Sequence, residues 1–165
     1  MLVHRHWRLV AHNRLVPLLM ASAAAHLLRP PVNVLRVSLH PQGLAPMVVN
    51  LAAWREHVFL RLQRQLAATG DPVLESLLDE LRALPLPEAP PVSELQAATP
   101  ALPPDVAVLL TLRSPLGRLN FITTLTMFGA PHDVTVSELA VETLLPADEA
   151  TASALRQLHA TLSPP

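Results

Sequence analysis

The spacing of apolar residues changes once along this chain, and that change constrains the fold more than any other feature. Between about residues 46 and 84, apolar residues recur every three or four positions, as they do on one face of a helix. After a proline-rich segment at 85–104, runs rich in Val, Leu, Ile and Thr are typical of strands. Helices followed by strands predict an α+β fold, in which helices pack on one face of an antiparallel sheet.

Capping residues set the bounds of the two clearest helices. The first is predicted over about 46–69 and ends at Gly70, because glycine readily adopts the left-handed conformation that terminates a helix. Asp71 is then a predicted N-cap and Pro72 the first residue of the next helix, which ends before Pro85.

The remaining elements are shorter. We predict two strands within 2–11, three strands in a meander, and one final helix. The meander strands cover 106–113, 119–128 and 134–145, and the helix follows Asp148. Two short helices are predicted at 13–29 and 32–39. The sheet closes with five strands if the first two lie beside the last, so we expect one domain over 1–165 with an internal loop at 85–104.

Composition excludes several classes of protein. The chain has no cysteine, so disulfides and thiolate sites are absent. Its formal net charge of −1 gives no electrostatic reason to bind nucleic acid or an anionic membrane. The longest stretch without a charged residue, 37–54, contains two prolines and a glycine, which argues against a spanning helix. We therefore expect a soluble, cytoplasmic chain.

No residue pattern predicts a metal site or an enzyme. His4 and His6 share one face of a predicted strand, and His12 is the nearest third histidine, but no full metal-ligand spacing is present. Ser38 and His40 have no acidic partner nearby, and no glycine-rich phosphate loop occurs.

One carboxylate pair also deserves an interpretation. Glu138 and Glu142 lie four residues apart on the last predicted strand, too far apart for a close catalytic dyad. We interpret both as solvated strand surface, and we predict no catalytic residue, no metal and no cofactor other than a bound apolar molecule.

A ligand pocket is predicted where the long helix faces the sheet. Alternate residues of the second meander strand share one face, and residues three or four apart share the facing side of the helix. The strand residues are Leu119, Phe121, Thr123, Leu125 and Met127; the helix residues are Leu51, Trp54, Val58 and Leu62.

Two arginines interrupt otherwise apolar helical stripes. Arg36 and Arg55 each need a reason to lie there, because a charge is costly beside apolar residues. One reading is that they hold a ligand carboxylate at the pocket mouth. The alternative is that each reaches solvent or pairs with a nearby acid such as Glu56.

Most of the chain resembles a known family. The segments RHWRLVAHNR (5–14), NVLRVSLHPQGLAPMVVNLAAWREHVFLRLQRQLAATGDP (33–72) and FGAPHDVTVSELAVETLLPAD (128–148) are similar to the MmyB-like ligand-binding domain. That domain follows the helix-turn-helix of XRE-type bacterial transcription regulators. The resemblance implies a PAS-like fold and a sensor that binds a small apolar or fatty-acid-like effector. The family's DNA-binding helices would precede residue 1, so we expect no DNA binding through this chain itself.

A second function remains open from the sequence. The core could be solid, and the domain could act as a homodimerisation or protein-interaction module without a ligand. PAS-like domains commonly combine sensing with dimerisation, so a homodimer is expected under either reading.

Overall fold

The computed structural model describes residues 1–85, 109–127 and 138–162. Within these ranges it contains a five-stranded antiparallel sheet and five α-helices. The strands are β1 (Leu2–His4), β2 (Leu9–Ala11), β3 (Leu110–Ser114), β4 (Gly117–Met127) and β5 (Leu139–Pro146). The helices are α1 (Leu15–Leu19), α2 (Val34–Leu39), α3 (Leu51–Thr69), α4 (Pro72–Ala83) and α5 (Glu149–Leu162). The predicted α+β class is confirmed, and the arrangement is consistent with a PAS-like fold.

The strand order is β2-β1-β5-β4-β3, so the first two strands lie beside the last, as predicted. Val3 lies opposite Ala140, which in turn lies opposite Met127. Two residues further along β5, Glu142 lies opposite Leu125 of β4. Because residues directly opposite one another point to the same face, these two rows form one continuous surface of the sheet.

Helix α3 lies beside that surface, and its Arg61 bonds Glu142 of β5. The four predicted stripe residues, Leu51, Trp54, Val58 and Leu62, are all buried, which confirms their common face. Phe121 on β4 is also fully buried, in the same apolar core. The Trp54 indole nitrogen donates a hydrogen bond to Ser38 Oγ at 2.8 Å, so this ring is fixed between α3 and α2.

The start of α3 differs from the prediction. The helix begins at Leu51 and not near residue 46, because the preceding residues hydrogen-bond to β3. Val49 N–H donates to the Thr111 carbonyl at 2.8 Å, and the Asn50 side chain bonds both the Leu109 carbonyl and the Thr111 N–H. The end of the helix is as predicted: Gly70 has φ of 62°, and the Asp71 side chain caps α4 at Val73 N–H.

The first helix is also shorter than predicted. Asn13 Oδ1 accepts from the N–H groups of Leu15 and Val16, as expected of a cap, but α1 ends at Leu19. Beyond it, Ala24 N–H donates to the carbonyl of Gln42, so the chain is held by the loop after α2 instead of continuing as a helix.

Several predictions lie outside the described residues. They are the proline-rich loop over 86–104, the strand ends at 106–108, 128 and 134–137, and the turn that contains Gly129, Pro131 and Asp133. Among the described helices, none is long and apolar enough to cross a membrane.

Candidate effector-binding groove

A cavity of about 480 Å³ lies between the C-terminal half of α3 and the sheet. We call it the groove. Side chains from β1, β4 and β5 form its apolar surface: Val3, Leu125, Met127, Leu139 and Ala140. Its volume lies in the ~300–1,000 Å³ range of small-molecule sites.

Arg61 of α3 is the buried cation of the groove. Its side chain is only 16% exposed, and its Nη1 lies 3.1 Å from Oε1 of Glu142, which is 4% exposed. The Arg61 Cζ also lies 4.1 Å from the centre of the Trp7 ring. An ion pair on one side and an aromatic face on the other hold the guanidinium in one position.

Two nitrogens of this guanidinium lack partners. Arg61 Nε and Nη2 are buried and have no hydrogen-bond acceptor among the described residues. Buried donors without acceptors are rare in proteins, because each costs about 1–3 kcal/mol or more. This edge of Arg61 is therefore an unsatisfied polar element in an apolar region.

Two hydrogen bonds hold Trp7 in place. Its φ of 63° is uncommon for a bulky residue and costs about 1–3 kcal/mol in backbone strain. The surroundings fix it, because its indole N–H donates to Gln65 Oε1 at 3.0 Å and its carbonyl accepts from Val34 N–H. Gln65 also donates to the Arg5 carbonyl, so α3 holds the whole β1–β2 turn.

Carboxylates and histidines meet at one edge of the groove. His6 Nε2 lies 2.7 Å from Asp71 Oδ2, and His4 Nε2 lies 3.1 Å from Glu138 Oε2. The hydrogen bond from His6, aided by Val73 N–H, holds the pKa of Asp71 below its ordinary value. Arg5 lies near both carboxylates.

The histidine pair does not build a metal centre with those acids. Among residues 1–85, 109–127 and 138–162, no three His, Asp or Glu side chains are arranged to hold a metal ion. His12 lies apart, with Nδ1 3.0 Å from the Asn13 carbonyl.

Two arginines of α3 act on the pKa of His57. Burial lowers the pKa of His57, and the charges of Arg61 and Arg64 lower it further. Arg64 lines the groove but is exposed. A neutral His57 leaves the two arginines as the cations of this helix face.

Two smaller cavities border Glu142. One of about 50 Å³ is lined by Leu35 and Trp54, and one of about 100 Å³ by Phe121 and Leu155. Glu142 borders both, while Arg61 borders the first as well as the groove. The Arg61–Glu142 pair therefore separates the groove from the interior of the domain.

The sequence interpretation of Glu138 and Glu142 as solvated strand surface is wrong for Glu142. Glu142 shares one face of β5 with Ala140 and Leu144. It lies beneath α3, where Arg61 neutralises its charge. Glu138 precedes β5 and is a third exposed, paired with His4.

The two arginines selected from the sequence have protein partners. Arg36 Nε and Nη2 both bond the Glu80 carboxylate at 2.6 Å, and this pair is about half exposed. Arg55 donates to the carbonyls of Leu84 and Arg82 at the end of α4. Neither pairs with Glu56, and neither lines the groove. Their role in ligand binding stays a prediction.

The five β4 residues predicted to line the pocket do not all lie in the groove. Leu125 and Met127 line the groove, and Met127 is 65% exposed. Phe121 lines the inner cavity of about 100 Å³, Leu119 is fully packed in the core, and Thr123 is half-buried.

Sequence reasoning missed Arg61, Trp7 and Glu142. The signal for Arg61 was present, because it lies three residues after Val58 in the apolar stripe that drew attention to Arg55. Trp7 lies within the segment 2–11 that is predicted as two strands, and that pattern gives no reason to expect its turn conformation.

A family model matches most of the chain. The model of the MmyB-like transcription regulator ligand binding domain matches residues 1–158. The chain belongs to this family. It is therefore a regulatory ligand-binding domain, and the MmyB-like family is not an enzyme family. No curated protein and no solved structure matches the chain.

Proposed function

We propose that this MmyB-like domain senses a small apolar or fatty-acid-like effector that binds in the groove between α3 and the sheet. The observation that carries the proposal is the 480 Å³ groove, whose apolar surface comes from three strands and whose other wall is α3. Polar and charged side chains also line the groove, but most of its wall is apolar, as is typical of small-molecule sites.

The groove is well placed to transmit binding. Gln65 and Arg61 of α3 contact the β1–β2 turn through Arg5 and Trp7, so an occupant would bear on two elements at once. An effector that binds one arrangement of α3 and this turn better than another shifts their equilibrium.

The wider setting is part of the proposal. We place the domain in a cytoplasmic, homodimeric regulator of the XRE type, in which a separate helix-turn-helix domain binds DNA. Effector binding in the groove then changes how those DNA-binding helices pair or dock.

The test measures uptake of a neutral apolar probe, N-phenyl-1-naphthylamine, after lipid has been removed with organic solvent and the protein refolded. Mass spectrometry of the solvent extract also identifies any lipid bound during expression. We expect saturable binding near one probe per domain. Leu125→Trp, which fills the groove, should abolish it.

Thr126→Trp is the matched control. Thr126 lies on the same strand, is exposed, and has the opposite pleat direction from Leu125. This variant should bind the probe like the natural chain. Equal binding by Leu125→Trp and the natural chain, or no binding by a folded natural chain, would contradict the proposal and favour a solid-core interaction module.

A further inference from the structure

We infer that Met127 is a redox-sensitive modification site of the groove: oxidation of its sulfur to the sulfoxide by hydrogen peroxide weakens binding of an apolar effector. This inference rests on the proposed function and adds a way in which the same groove is regulated. The reacting atom is the thioether sulfur of the last residue of β4.

The four methionines differ in how far an oxidant can reach them. They are the only sulfur-containing residues of the chain, because it has no cysteine. Met20 is 8% exposed, whereas Met127 is 65% exposed. Met1 and Met47 are half-buried, and the Met47 sulfur accepts a hydrogen bond from the Ser22 hydroxyl at 2.7 Å. Because oxidation of a sulfur atom follows its accessibility, peroxide should react with Met127 first.

Met127 is also part of the apolar wall of the groove. It lies opposite Ala140 of β5, which lies opposite Val3 of β1, so these three side chains point to one face of the sheet. Leu125 lies two residues earlier on the same strand and on the same face. All four side chains line the groove, so a polar atom at Met127 interrupts a continuous apolar surface.

An apolar occupant of the groove removes part of the Met127 side chain from water. Burial of apolar surface stabilises such a complex, and a flexible thioether adapts its shape to a ligand. The oxygen of a sulfoxide is instead a polar acceptor that water satisfies, and an apolar occupant has no donor to replace that water. The oxidised side chain therefore loses hydration when the groove is filled, which lowers affinity.

The reaction is a two-electron oxidation of the thioether. The sulfur lone pair attacks one oxygen of hydrogen peroxide, the O–O bond breaks as the S–O bond forms, and the other oxygen leaves as water. Methionine sulfoxide reductases reverse the step with a dithiol, which is oxidised to a disulfide while the sulfoxide oxygen leaves as water. The change at Met127 is therefore reversible, as regulation requires.

The experiment uses the full chain after lipid removal, which we call the delipidated chain. It is treated with dilute hydrogen peroxide, freed of peroxide, and titrated with N-phenyl-1-naphthylamine, while peptide mass spectrometry counts the oxygen atoms added at each methionine. We expect oxygen at Met127 before the other methionines, and probe binding that is weaker by about fivefold or more. Methionine sulfoxide reductases with a dithiol should restore the affinity.

Three variants show whether Met127 is responsible. Met127→Leu has no sulfur there but a similar volume, so it should bind the probe within about twofold of the natural chain, before and after peroxide. Met47→Leu is the matched control outside the groove and should respond to peroxide as the natural chain does. Met127→Gln carries a permanent polar group and should bind the probe as weakly as the oxidised chain, without peroxide.

Protection by the occupant is the reciprocal measurement. If oxidation of Met127 weakens binding, then bound probe should oppose oxidation, because the two events act on the same state of the groove. At saturating N-phenyl-1-naphthylamine we expect oxidation of Met127 to slow several-fold, while oxidation of Met47 keeps its rate. A sulfoxide that only disturbed the end of β4 would not produce this protection.

The outcomes separate the two proposals. Unchanged probe affinity after oxidation of Met127, an equal loss of affinity in peroxide-treated Met127→Leu, or oxidation of Met127 at the same rate with and without saturating probe overturns the redox inference while the apolar groove stands. Absence of probe binding by the folded, untreated natural chain overturns the proposed function and the redox inference together.

Discussion

Two arginine–glutamate pairs in this domain have opposite environments. Arg36 and Glu80 join α2 to α4 on the surface, with two hydrogen bonds and side chains that are 45% and 43% exposed. Arg61 and Glu142 join α3 to β5 in the interior, with one hydrogen bond and side chains that are 16% and 4% exposed. The surface pair fills the Nε–Nη2 edge of its arginine, whereas the buried pair leaves two of the three guanidinium nitrogens without a partner among the described residues.

The difference in exposure decides how much each ion pair matters to the stability of the domain. Water screens the surface pair, which contributes about 0–1 kcal/mol to stability. The buried pair lies in a region of low dielectric constant, so removing one partner is costly.

The largest expected effect comes from removing the buried acid. Glu142→Ala leaves Arg61 as an unpaired buried charge and should lower the free energy of unfolding by about 3–5 kcal/mol in ligand-free protein. Glu80→Ala removes the surface acid and should cost about 0–1 kcal/mol. Urea denaturation of both variants checks this, and equal losses would erase the distinction between the two pairs.

The aromatic face over Arg61 gives the next effect. Trp7→Phe keeps a ring near Arg61 but loses the donor to Gln65, which should cost about 1–3 kcal/mol. Trp54→Phe loses a comparable donor, to Ser38, without touching Arg61.

Both tryptophan variants should lose stability in thermal unfolding, but only Trp7→Phe should weaken binding of dodecanoate. Weaker binding by Trp54→Phe alone would show that the ligand site is the cavity of about 50 Å³ beside Trp54, and not the groove.

The groove edge should respond to acid. Because the pKa of Asp71 is lowered in the folded state, its ionised form contributes stability that is present above the ordinary pKa and is lost as pH falls through the lowered one. The advantage of the natural chain over Asp71→Asn, which keeps a capping oxygen, should persist at about pH 5–6 and close below about pH 4. Unfolding measured across this range checks the trend; a constant difference would contradict it.

The smallest effect is the coupling within the surface pair. A double-mutant cycle of Arg36→Ala and Glu80→Ala should give about 0–1 kcal/mol, and 1 M salt should reduce it. A coupling near that expected for a buried pair would mean that exposure does not separate these two sites.

The sequence predicted those parts of the fold that depend on local signals. Gly70, Asp71 and Pro72 each act within one turn of the chain, and the α3–α4 junction lies where they indicate. The start of α3 was misplaced because Asn50 bonds Leu109 and Thr111, about 60 residues further along the chain. No local pattern contains that contact.

The candidate site was predicted only in outline. Leu125 and Met127 of β4 line the groove, whereas the predicted apolar stripe of α3 is buried but does not line it. The buried cation was not found, although Arg61 lies near the apolar stripe, because its partner Glu142 is 81 residues away in the sequence. Only the fold shows that both are buried.

The most direct test of the account follows the side-chain Nε–H signals of the arginines by NMR while the delipidated chain is titrated with dodecanoate. Lysine variants at positions 36 and 61 assign the two signals. We expect the Arg61 Nε–H signal to shift, because Arg61 lines the groove, while that of Arg36, which does not line it, stays in place. An Arg61 signal that does not move as dodecanoate saturates the domain would contradict the claim that the effector binds in the groove.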